Sequence, residues 1–174
     1  MNTKILKRTF WVFLLLFVFA SVALTVIDSG LRNSTTPHGI VSFELCAYTA
    51  SCDAALIQWG TKGQALALLS LGLDYLFLFL YPGLIVIGLL LIAPRVPRNL
   101  FRLTMFAAWS CVAIGLADAI ENYALIQIIL SESGSRYGLL ASISATIKFV
   151  LLGIALLWWL FTTVKYGLLK RQPS

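Results

Sequence analysis

Four long apolar runs, separated by short polar stretches, set the pattern of this chain. The first, Phe10 to Ile27, holds no ionisable group. Runs of similar character follow at about 64–92, 100–130 and 137–164. Crossing a bilayer core takes ~20 residues of α-helix, and backbone inside hydrocarbon must satisfy its own hydrogen bonds. The pattern therefore predicts an all-α membrane protein: a bundle of four transmembrane helices forming one membrane domain. Spans fall at about 9–27, 64–92, 100–130 and 137–164, and 28–63 forms a short helical outer lid between the first two. Lys4, Lys7 and Arg8 before the first run, and the small-residue stretch Ser21-Val-Ala23 inside it, also suit a signal peptide. The run exceeds the ~7–15 residues of a signal core, which favours a retained span.

The lid reads as loop, then short helices. Asp28 to Pro37 is rich in turn-forming residues. Gly39-Ile-Val-Ser-Phe-Glu44-Leu is more apolar than an exposed loop should be. Thr49 or Ser51 can cap a helix that Asp53 favours electrostatically and Gly60 ends. Trp59 suits an interfacial anchor. The lid would bring Glu44, and with it His38, over the mouth of the bundle. Cys46 and Cys52 are a candidate disulfide, which requires the chain to break between them because a continuous helix would hold them apart. The spacing leaves pairing open.

Composition confirms the compartment and charge orients the chain. With 60% hydrophobic and 11% charged residues, the chain departs from soluble domains, in which roughly 25% are charged. The net charge of +6 gathers as Lys4, Lys7, Arg8, then Arg95, Arg98, Arg102, then Lys165, Lys170, Arg171, each group beside an apolar run. That is the positive-inside pattern, so both termini are expected to be cytoplasmic and the lid periplasmic. Scattered in this way, the charge gives no surface for nucleic acid. Trp158, Trp159 and Tyr166 suit the inner interface, and Pro82 is expected to kink the second span.

Against this apolar background a few polar residues stand out. Asp118, Glu121 and Asn122 occupy i, i+3 and i+4 of the third span and leave one face of the helix. Asp74 and Tyr81 share a face of the second span, and Lys148 is the one charge inside the fourth. At 1.5 Å per residue, Asp74, Asp118, Glu121 and Lys148 all fall roughly 15–20 Å below the outer surface. Three helices thus contribute to one layer, in which three acids against one lysine leave a formal excess of two negative charges. A buried charge costs at least ~2.5–3.5 kcal/mol on insertion scales, so such residues face partners, water or a ligand. Ala107, Cys111 and Gly115 form a small-residue stripe that admits a close neighbour helix.

The layer is either a clasp fixing helix register or a site, and its surplus of acids favours a site. Candidate ligand-binding residues are Glu44, Asp74, Tyr81, Asp118, Glu121, Asn122 and Lys148. The leading expectation is a membrane protein that binds a small ligand or lipid, or supports a membrane complex with a protein partner or a second copy. The alternative is a carboxylate-dependent intramembrane enzyme acting on a lipid-like substrate. Four acids could instead surround a hard cation. One histidine, no His-Glu-x-x-His and no Gly-x-Ser-x-Gly argue against zinc or serine hydrolysis, and the sequence names no cofactor. No second polar layer continues inward, which disfavours ion conduction.

Three stretches carry a resemblance: Thr36-Pro-His-Gly-Ile-Val-Ser-Phe-Glu44-Leu, Leu73-Asp-Tyr-Leu-Phe77, and Asp118-Ala-Ile-Glu-Asn122. On these the chain resembles an uncharacterised family of small bacterial four-span inner-membrane proteins. The resemblance implies a bacterial source and groups Glu44 with the intramembrane acids. It implies no reaction.

Overall fold

The computed structural model describes residues 3–49, 51–131 and 134–168. They form an all-α bundle with four helices long and apolar enough to cross a membrane, as the length of the apolar runs requires. Helix α1 is Thr3–Ser29. The lid follows, with α2 at Ile40–Glu44, α3 at Cys46–Thr49 and the start of α4, Cys52–Ile92. A 3-10 turn at Ala93–Arg95 leads into α5, Arg98–Ser131, and then α6, Gly134–Thr162, which runs on as a π-helical turn to Leu168. The chain is a multi-pass membrane protein whose lid lies at one end of the bundle and whose basic turn lies at the other.

Helix α4 has two parts. Gly60 takes φ 58°, ψ −171° and breaks the helical geometry, a conformation that glycine adopts without a Cβ penalty. Cys52 to Trp59 therefore belongs to the lid, and the descending span starts beyond the break. Ser51 caps the short part by accepting from the Ala54 N–H at 3.3 Å. No non-helical geometry occurs at Pro82. The proline also bears on α5. Pro82 has no N–H for the Leu78 carbonyl, and Gly115 of α5 lies against that carbonyl: a Cβ there would stand 3.5 Å from it. The small-residue stripe of α5 is what lets α4 approach.

Helices α5 and α6 pack along their lengths, α4 packs on both, and α1 lies against α4. Within α1, Ala20 alone is buried and Trp11, Leu15, Phe19 and Val26 face outward, which suits a surface solvated by lipid. At the basic end Phe10 of α1 meets Trp159 of α6 edge to face, ring centres 6.2 Å apart. Trp159 in turn lies over Gly88 of α4, where any Cβ would overlap its indole.

The lid has its own core. Trp59 is buried against Phe43 and donates from Nε1 to the Leu31 carbonyl at 2.8 Å and to Thr36 Oγ1 at 3.1 Å. It is a structural centre of the lid and not the interfacial anchor expected. Cys46 and Cys52 are disulfide-bonded, with Cα atoms 5.0 Å apart, and the break that pairing requires lies between α3 and α4. At the other end, Tyr166 is buried and Trp158 donates to Thr104 Oγ1 at 3.2 Å. Both pack inward.

Candidate functional site

The site forms where α4, α5 and α6 meet beneath α2. Lys148 of α6 donates to Asp118 Oδ1 at 3.0 Å and to Glu121 Oε1 at 2.8 Å, both on α5. Tyr81 of α4 donates to Asp118 Oδ2 at 2.8 Å. Asn122 donates from Nδ2 to Asp74 Oδ2 at 2.7 Å. Glu44, the last residue of α2, comes within 3.7 Å of Lys148 through Oε2. All seven candidate residues are thus brought into one layer. The i, i+3, i+4 spacing on α5 aims three of them at their partners, and the helix rise puts Asp74, Tyr81 and Lys148 at matching depth.

His38 does not join them. It is exposed, and only its backbone N–H is engaged, with Ser42 Oγ.

Glu44 arrives by a mechanism that the sequence pattern shows only in part. Phe43 and Cys46 beside it are buried, Phe43 completely, and Ile40 and Leu45 are half-buried, because α2 sinks into the mouth of the bundle. Two residues not anticipated hold it there. Asp28 at the end of α1 accepts from the Ile40 N–H at 2.7 Å and from Arg32 Nε at 2.9 Å. Ser142 of α6 donates to the Glu44 carbonyl at 2.9 Å and accepts from the Ala47 N–H at 3.3 Å. Gly39, φ 58°, fits where a Cβ would collide with the Asp28 carboxylate. The Gly at the start of α2 was the one available signal for this pin; Ser142 looks like any small residue of an apolar helix.

The layer is unevenly satisfied. Asp118 has a partner on each oxygen. Glu44 Oε2 and Glu121 Oε2 are buried without a hydrogen-bond partner. The two carboxyls are neighbours. Burial pushes the Glu44 carboxyl above its ordinary range, although the Lys148 ammonium pulls the other way. Among the described residues no three His, Cys, Asp or Glu side chains are grouped to hold a metal ion; the position between Asp118 and Glu121 is taken by the Lys148 ammonium.

Two cavities meet at this layer. A groove of about 570 Å³ is lined at its head by Glu44, Asp74, Asp118 and Lys148 and along its length by apolar side chains such as Ile85 and Leu152. From Asp74 to Ile85 it descends about 16 Å at 1.5 Å per residue. Helix α4 forms its floor, with α1 and α6 as walls. The Phe10–Trp159 contact crosses it at the basic end, and Ile40 and Val41 of α2 line it at the lid end. A second cavity of about 190 Å³ lies on the lid side, lined by Asp28, Arg32 and Asn122, and Glu44 and Asp74 line both. An apolar channel ending in hydrogen-bonding groups is a chemical description of an amphipathic binding site. No protein-family model matches the chain, and no curated protein or solved structure is significantly similar to it.

Proposed function

We propose that this is a bacterial inner-membrane protein that binds an amphipathic small molecule or lipid, its tail in the groove and its head at the Glu44–Asp74–Lys148 layer. The observation that carries this reading is the groove itself. It is open between two membrane helices, apolar for most of its length, and polar at one end only. A clasp that merely fixed register would be closed over by packing and would leave no carboxylate oxygen unmet. Orientation follows from charge and redox chemistry together. The basic clusters Lys4–Arg8 and Arg95–Arg102 lie at one end, favouring cytoplasmic termini, and the Cys46–Cys52 disulfide lies at the other, favouring an oxidising periplasmic compartment for the lid.

The test is retention of ligand. The gently solubilised protein is expected to carry a stoichiometric amphiphile in native mass spectrometry. Leu156→Trp, which fills the groove from a half-exposed wall position, should lose it, while Leu157→Trp on the outward face should keep it. The same bound species in both variants would refute the groove as the site. A second reading, a carboxylate-dependent enzyme acting on the bound amphiphile, is favoured by Glu44 Oε2 alone, a carboxylate oxygen at the head with no hydrogen-bond donor. It predicts turnover of the retained molecule that Glu44→Gln abolishes without releasing it.

A further inference from the structure

The charge at the head of the groove is not balanced, and the imbalance has a direction. Four carboxyl groups, Glu44, Asp74, Asp118 and Glu121, face one ammonium, a formal excess of three negative charges. Lys148 spends its hydrogen bonds on Asp118 and Glu121, and Glu44 Oε2 at 3.7 Å lies too far away for another. Tyr81 and Asn122 complete Asp118 and one oxygen of Asp74. Arg32, which lines the cavity on the lid side, is engaged with Asp28. What is left is Glu121 Oε2 and Glu44 Oε2, both buried without a donor; of the two only Glu44, its side chain nine-tenths buried, belongs to a residue that lines the groove.

Resting on the amphiphile-binding reading above, we propose that the head of the groove selects a protonated primary amine, held between Glu44 and Asp74. A primary ammonium brings the missing positive charge and several N–H donors on one atom, enough to reach two carboxylates. An anionic head would add charge of the sign already in surplus, and a neutral hydroxyl would supply one donor and no charge. The rival account is that Glu44 and Glu121 share a proton, which would satisfy both unmet oxygens with no ligand. That arrangement predicts no preference for a cation.

The two accounts separate in an experiment with matched probes. Dodecylamine, dodecanol and dodecanoate, each brominated at the far end of a chain comparable in length to the groove, are titrated into the full-length protein in phosphatidylcholine nanodiscs. The readout is the part of the tryptophan quenching that disappears in Trp159→Phe, because Trp159 lines the deep end of the groove. Taking each probe as the ratio of wild type to Glu44→Gln cancels its partition into the bilayer. The amine is expected to bind about tenfold tighter to wild type than to Glu44→Gln, the scale of one charge-assisted hydrogen bond, while the alcohol and carboxylate ratios stay near one. Asp74→Asn serves as a second variant, and thermal melting reports that each is folded. An amine ratio near one in both folded variants, or equal ratios for alcohol and amine, overturns the choice of head group and leaves the groove standing. No Trp159-dependent quenching by any probe overturns the groove, and the head group with it.

Discussion

Lys148 faces three carboxylates, and they differ in how far they depend on it. Asp118 and Glu121 take its N–H groups directly, so removing the ammonium strands two buried carboxylates at once. Lys148→Met is therefore expected to destabilise the bundle by about 3–5 kcal/mol, measured by thermal or SDS unfolding in mixed micelles. Little change would mean that the acids are already neutral or hydrated. Most of this layer was legible in the sequence. Polar groups inside apolar helices are costly enough to be conspicuous, and counting residues from the span ends gives their depth. Glu44 was legible through the apolar segment it ends. The partners that place it were not, because Asp28 and Ser142 act through backbone groups brought near by folding. His38 and Trp59 failed for a related reason: residue type gives no direction of pointing in a segment whose path is set by a disulfide and two glycines.

Among the elements, the glycines of α4 decide which neighbour comes close and where. Gly83 seats the ring of Phe13 from α1 and Gly88 the indole of Trp159 from α6, so one helix holds both walls of the groove by lacking side chains at two points. Gly88→Ala is expected to cost about 1–3 kcal/mol as overpacking, and the measurement to make is melting temperature alongside Trp159-dependent quenching. Both should change together, because the indole must leave its seat; a lowered melting temperature with unchanged quenching would place the strain elsewhere. Pro82 bears on a neighbour as well as on its own helix. A proline inside a helix leaves one carbonyl without its donor, and Gly115 of α5 lies against that carbonyl. The periodic stripe Ala107, Cys111, Gly115 signalled a close neighbour without saying which helix it was.

For the molecule as a whole, the four-span architecture followed from run length and composition, which are properties that local packing cannot override. The orientation in the membrane is the part still to be measured. A cysteine placed at exposed Ser34 in the loop before α2 is expected to react with a membrane-impermeant thiol reagent added to intact cells, and one at Arg95 only after permeabilisation. The reverse pattern would invert the molecule and turn the groove's head toward the cytoplasm. With the predicted orientation, a groove roofed by α2 and crossed by Phe10 and Trp159 at the basic end opens sideways into hydrocarbon. A ligand would then come from the lipid phase, which explains why its walls need so few polar groups.

The position of Lys148 along the chain also governs how the protein can be made. Spans emerge from the ribosome in order, and the acids Glu44, Asp74, Asp118 and Glu121 all precede the one lysine of their layer. Each acid on a span carries an insertion penalty when it enters alone, and Tyr81 and Asn122 relieve it only in part until α6 follows. A nascent chain stopped after α5 would hold three spans, an acidic centre and no internal counter-ion. Such a fragment should be a substrate for membrane quality control, and translation of the last span becomes the step that commits the molecule to its fold.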